Sequence, residues 1–95
     1  MRFSWDEAKN RANRRKHGVS FETAVRVFLD PLHLTKEDRV RDGELRWHTI
    51  GRVDDALLLI VAYTVVDEDE EWLHVISARK TTRRERTEYE EASEI

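Results

Sequence analysis

The sequence predicts an α+β fold, with an N-terminal helical pair and a C-terminal helix packed on a roughly four-stranded antiparallel meander sheet. Three observations predict it. Apolar residues recur at helical spacing up to residue 30. From residue 32 the pattern shifts to strand-like runs rich in β-branched residues, and a capped, charged segment after residue 81 returns to helix. One Pro and three Gly leave these segments uninterrupted, so the 95 residues are expected to form a single domain, 1–95.

The first helix is read in SWDEAKNRANRRKHG. Ser4 with Glu7 three residues on has the form of a capping box, Arg14, Arg15 and Lys16 complement the dipole of the last turn, and Gly18 supplies the stop. Its apolar stripe of Phe3, Trp5, Ala8 and Ala12 is thin, which leaves a broad solvated or ligand-facing side. The second helix is capped by Ser20 and carries Phe21, Ala24, Val25 and Phe28 at helical spacing. Asp30-Pro31 ends it, because Pro excludes the residue before it from the α region. LHLTKED and LRWHTIGRV read as strands around a turn at Asp42-Gly43. DALLLIVAYTVV has the near-continuous apolar character of a central strand covered on both faces. DEDEE is a solvated turn, WLHVISAR the fourth strand, and TTRRERTEYEEA a final helix with Thr82 and Glu85 as its capping box.

The charge is segregated. The net charge is −3, yet residues 9–17 hold five Lys or Arg without an acid, and residues 79–86 hold five against Glu85 alone. Acids gather at 67–71 and in Glu88, Glu90, Glu91 and Glu94. Such a chain attracts a polyanion locally while staying acidic overall. With no Cys there is no disulfide or thiolate chemistry. No leader is evident and the longest apolar run is short of a membrane span, so a cytoplasmic location away from membranes is expected. No metal is expected, because no two His stand three or four residues apart and DEDEE lacks the Gly and spacing of a calcium loop. No Gly-rich phosphate loop or serine elbow appears either.

Arg79, at the end of the fourth strand, offers a planar fork suited to phosphate. Strict alternation puts it on one face with Leu73, Val75 and Ser77. Its structural reading is a pair with one of the many carboxylates. Lys9 and Lys16 share a face of the first helix two turns apart, beside His17, and suit an RNA backbone as well as they suit helix capping. His48 shares a strand face with Arg46, and Trp47 points the other way, either to core or to stack on an unpaired base. His17 and His48 are the candidate acid–base groups near neutral pH.

Taken together, FSWDEAKNRANRRKHGVSFETAVRVFLDP, GELRWHTIG, LLLIVAYT and VISARKTTRRERTEYEEA resemble the BrnT family of bacterial type II toxins over nearly the whole chain. The resemblance implies a RelE-like fold and metal-independent, cofactor-free RNA cleavage that arrests translation. It also implies neutralisation by a BrnA-like ribbon-helix-helix antitoxin, through which the complex reaches operator DNA. Matched to that pattern, Arg79, Arg86, Tyr89, His17 and Lys16 are expected to be catalytic. Lys9, Arg46, Trp47, His48 and Arg83 are expected to bind RNA, with Glu44 a further acid–base candidate. Metal-free cleavage needs a deprotonated 2′-hydroxyl, a stabilised phosphorane and a protonated leaving oxygen, and these residue types meet those needs. A rival reading keeps the basic face without catalysis: a module that binds nucleic acid and antitoxin as an operon co-repressor.

Overall fold

The computed structural model describes residues 1–93; Glu94 and the end of the expected 1–95 domain lie outside them. The elements are β1 (Arg2–Ser4), α1 (Glu7–His17), α2 (Phe21–Ala24) continued by a 3-10 turn (Val25–Leu29), β2 (Leu34–Arg41), β3 (Glu44–Arg52), β4 (Leu58–Asp67), β5 (Trp72–Lys80) and α3 (Arg83–Ser93). The strands form one sheet in the order β1-β5-β4-β3-β2. No described helix is long and apolar enough to cross a membrane.

The α+β class and the helix-helix-meander-helix order are as expected, with two corrections. The sheet has five strands rather than four, and it is mixed rather than antiparallel, because β1 pairs in parallel with β5 (Ser4 opposite His74). Ser4 is therefore a strand residue. The cap of α1 is Asp6, which accepts from the Lys9 backbone N–H at 3.1 Å. The other expected signals hold. Gly18 ends α1 at φ 72°, Ser20 caps α2 through the Thr23 N–H, and the chain leaves the helical region at Asp30. Asp42 and Gly43 both take positive φ, which matches the right-handed twist of a tight β2–β3 hairpin.

Each face of the sheet has its own cover. Leu59, Val61 and Tyr63 of β4 and Leu73, Val75 and Ala78 of β5 pack under α2 and the 3-10 turn with Phe21, Ala24 and Val27. Gly51 lets that turn approach β3, since a Cβ there would stand 2.6 Å from the Val27 carbonyl oxygen. Among the described residues the opposite face is covered only at one end, where Tyr89 of α3 packs on Ile50, Leu58 and Ile60, and they leave the rest of that face open.

Phe3 and Trp5 of the expected apolar stripe precede α1 and pack against the core, whereas α1 itself docks by polar contacts. Ala8 and Ala12 are exposed, whereas Asn10 and Asn13 are buried. The Asn13 amide donates to the carbonyls of Val19 (2.9 Å) and Ala78 (2.8 Å) and accepts from the Ala78 N–H (3.2 Å). It substitutes for a neighbouring strand where β1 no longer pairs with β5, satisfying edge groups that would otherwise be buried without partners. Asn10 accepts from the Phe21 N–H at 2.8 Å and so holds α2 against α1.

Candidate active site on the open sheet face

Regular alternation would send Ser77 and Arg79 to the same side as Val75, under the helices. A bulge prevents this. Tyr63 pairs with Val75 but Ala62 pairs with Ser77, leaving Ile76 as an extra residue in β5. The insertion turns Ser77 and Arg79 over to the open face and Ala78 into the core. On that face the strands lay down two adjacent rows, His48–Ala62–Ser77 and Arg46–Thr64–His74.

A cavity of about 350 Å³ opens over the first row, lined by Asp38, Arg39, His48, Ile60, Ala62, Ser77, Arg79 and Glu85. β2 supplies the first two residues, β3 to β5 the floor and the first turn of α3 the far rim. The side of the cavity is fixed by one ion pair. Arg79 donates Nη1 to Glu85 Oε1 (2.8 Å) and Nη2 to Glu85 Oε2 (2.9 Å). Glu85 Oε1 also accepts from the Thr82 N–H, and Thr82 Oγ1 accepts from the Glu85 N–H, so the expected capping box also aims the clamp. Hydrogen bonds from Arg79 hold the Glu85 carboxyl down at about 2, and the same contact raises the Arg79 guanidinium further above its ordinary range. The Arg79 side chain remains 41% exposed towards the cavity. Arg79 Nη1 also donates to the Lys80 carbonyl at 3.2 Å, and among the described residues its Nε–H has no hydrogen-bond partner.

The other expected site residues divide by position. His48 and Arg46 lie on the open face, as alternation required. Lys9 lines a second cavity, of about 260 Å³, with Glu44, Arg46, Thr64 and His74. α1 runs beside β5, with Lys9 near Val75 and Ile76 and Asn13 at Ala78. A helical rise of about 1.5 Å per residue therefore brings Lys16, on the Lys9 side of the helix, roughly level with Arg79. His17 is half-buried at the end of α1, and Arg83 is exposed at the start of α3.

Three expected residues sit elsewhere. Trp47 is on the covered face, packed against the larger core beside Tyr63. Arg86 points along α3 towards Glu90, 3.8 Å away. Tyr89 is only 3% exposed, and its hydroxyl donates to Asp30 Oδ2 at 2.5 Å. Asp30 also accepts from the backbone N–H groups of Leu32 (2.9 Å) and Arg52 (2.8 Å). Burial pushes the Asp30 carboxyl up, but these hydrogen bonds outweigh it and the group ends below its usual range. Tyr89 is raised, by burial first and then by its bond to Asp30. The pair ties α3 to the end of the 3-10 turn and to β3, and takes Tyr89 out of the open face.

Sequence reasoning missed four residues of the open face. Ser77 was assigned to the wrong side because a bulge leaves no mark on alternation. Arg39 and Asp38 enter from a strand whose charged sequence reads as solvated edge. His74 has no signal in the strand pattern; its Nδ1 lies 2.9 Å from Ser4 Oγ, a contact made by the unexpected β1. Among the described residues no three acidic or imidazole side chains converge as a metal site.

Residues 5–85 match the model of the family described as "Ribonuclease toxin, BrnT, of type II toxin-antitoxin system". The chain is also similar to the crystal structure of the Brucella abortus ribonuclease toxin BrnT. The match has a TM-score of 0.64 and 28% identity, and covers 87% of this chain and 99% of the Brucella chain. Nothing among the curated proteins matches.

Proposed function

The chain belongs to the BrnT family of ribonuclease toxins of type II toxin–antitoxin systems, and on that premise we propose that it cuts single-stranded RNA on its open sheet face without a metal ion. The observation that carries the reading is the joint presence of an imidazole, His48, and two guanidinium groups, Arg39 and Arg79, around one cavity.

In this reading His48 takes the proton of a ribose 2′-hydroxyl, imidazole being the side chain suited to proton transfer near neutral pH. The 2′-oxygen attacks the adjacent phosphorus and the bond to the 5′-oxygen breaks. The products are a 2′,3′-cyclic phosphate and a 5′-hydroxyl, the departing oxygen taking its proton from water admitted by the open cavity. Arg79 and Arg39 oppose the charge that builds on the phosphorane. Glu85, ionised far below neutral pH, is assigned no proton transfer; it holds Arg79 in place. Lys16 and Lys9 extend the cationic rim, His17 and Arg83 flank it, and Arg86, Tyr89 and Trp47 support the fold around it.

Cleavage of messenger RNA would arrest translation. A ribbon-helix-helix antitoxin of the BrnA type would neutralise the toxin and carry it to operator DNA. The exposed edge strand β2 and the outer side of α3 are the surfaces offered to it. The whole chain, 1–95, would act as one cytoplasmic domain.

The Arg79–Glu85 clamp also favours a second reading, in which Arg79 is structural and the chain only binds nucleic acid and antitoxin. His48→Ala separates the two. The catalytic reading expects RNA cutting to fall by about 10²–10⁴-fold, the usual worth of an acid–base group, in a protein of unchanged fold. An unchanged rate in the folded variant removes His48 from the chemistry.

A further inference from the structure

The second row of the open face contains an unresolved electrostatic conflict. Arg39 of β2 stands directly opposite Arg46 of β3, and like charges in that position destabilise a strand pair. Arg39 is partly relieved by Asp38, 3.2 Å from its Nε. Among the described residues the buried Nε of Arg46 has no hydrogen-bond partner, and an unmet charged donor is costly. Lys9 joins Arg46 in lining the cavity, and Thr64 and His74 complete the row. Ser4 fixes the His74 ring through Nδ1. Glu44 is the opposing acid of the lining, placed across from Arg41 in the strand register.

An anion over this row would answer all three features: the orphaned donor, the facing arginines and the lysine at the rim. The row lies two strand residues, about 6.6–6.8 Å, from the His48–Ala62–Ser77 row, a step of the order of one nucleotide in an extended strand. Arg39, which lines the first cavity and faces Arg46, joins the two.

We propose that Arg46, Arg39 and Lys9 form a second phosphate subsite. It takes the phosphodiester next to the one cleaved beside His48 and Arg79, so that two successive phosphates set the register of a single-stranded RNA. The proposal rests on the ribonuclease reading for the identity of its ligand.

The test uses 2′-deoxy oligonucleotides, which bind but lack the attacking hydroxyl, carrying either one phosphodiester or two. Binding is measured by fluorescence anisotropy over a range of salt. For the parent protein the second phosphodiester is expected to tighten binding about tenfold, the size of one charge-assisted contact. Arg46→Gln and Lys9→Gln should each remove most of that gain and flatten the log Kd–log salt slope by about 0.7, one phosphate contact on a single strand. The gain is read as the ratio of the two probes' affinities within each protein, so a general weakening of binding in a variant cancels. Equal gains in parent and variants overturn the subsite. Lys9 is exposed, so Lys9→Gln carries the test if Arg46→Gln does not fold. The ribonuclease reading fails separately, if the parent leaves ordinary RNA uncut while the second-phosphate gain persists.

Discussion

Replacing Tyr89 by Phe removes one oxygen atom and decides whether this residue belongs to the chemistry or to the scaffold. Its hydroxyl donates to the buried Asp30 carboxylate at 2.5 Å. A hydrogen bond to a charged group is worth about 1.5–3 kcal/mol, and the ring keeps its packing on Ile50, Leu58 and Ile60. The Asp30 carboxylate retains two backbone donors, from Leu32 and Arg52, which places the expected loss near the middle of that range. A loss of about 2 kcal/mol lowers the Tm of a domain this size by roughly 8–16 °C. Thermal unfolding followed by circular dichroism measures the shift, and RNA cleavage assayed well below the transition measures activity. We expect a clear drop in Tm with cutting within about twofold of the parent. An unaltered Tm with cutting abolished would return Tyr89 to the catalytic set.

The same logic extends to three other positions. Glu85→Gln weakens the clamp on Arg79. A carboxyl moved from 4.5 to about 2 sets an upper limit of about 3.4 kcal/mol, and the 41% exposure of the Arg79 side chain reduces the expected loss to about 1–2 kcal/mol. Because the folded-state value is depressed, this stability is present above about pH 4.5 and disappears as the pH falls towards 2; acid titration of the parent should therefore converge on the variant. Asn13→Ala leaves the N–H and C=O of Ala78 without their partner and should cost about 2–4 kcal/mol in urea unfolding, whereas Ala12→Ser on the exposed side of the same helix should cost only about 0.5 kcal/mol of helix propensity. Gly51→Ala forces a methyl group against the Val27 carbonyl and should cost about 1–3 kcal/mol, read as a lower urea midpoint.

Much of the architecture was legible because it rests on local chemistry. Ser20, Gly18, Pro31, the Asp42-Gly43 turn and the Thr82–Glu85 box each act within a few residues of themselves, and the apolar run of β4 states its own burial. What escaped depends on partners distant in the chain. Three residues of β1 hold no period, and Ser4 offers the same hydroxyl to a cap as to His74. The docking of α1 escaped because buried Asn residues look like surface until the strand edge they complete is known. In the site, Arg46 and His48 were placed by alternation alone, but Arg79 reached the same face by a route alternation denied, through the extra residue Ile76. The sequence at Trp47 fits core and ligand equally, and its place beside Tyr63 packs it against the core. Tyr89 lies beyond the residues that match the family, and only its distance to Asp30 reveals what it holds.

We propose that the open face cleaves RNA without a metal ion and that Arg79 serves the reaction. The most direct measurement incubates purified, antitoxin-free protein and its Arg79→Ala variant with end-labelled single-stranded RNA in EDTA, followed by analysis of the new ends. We expect cutting by the parent, with 2′,3′-cyclic phosphate and 5′-hydroxyl ends, and none by the folded variant. Cutting that stops in EDTA, or that Arg79→Ala leaves untouched, would contradict it.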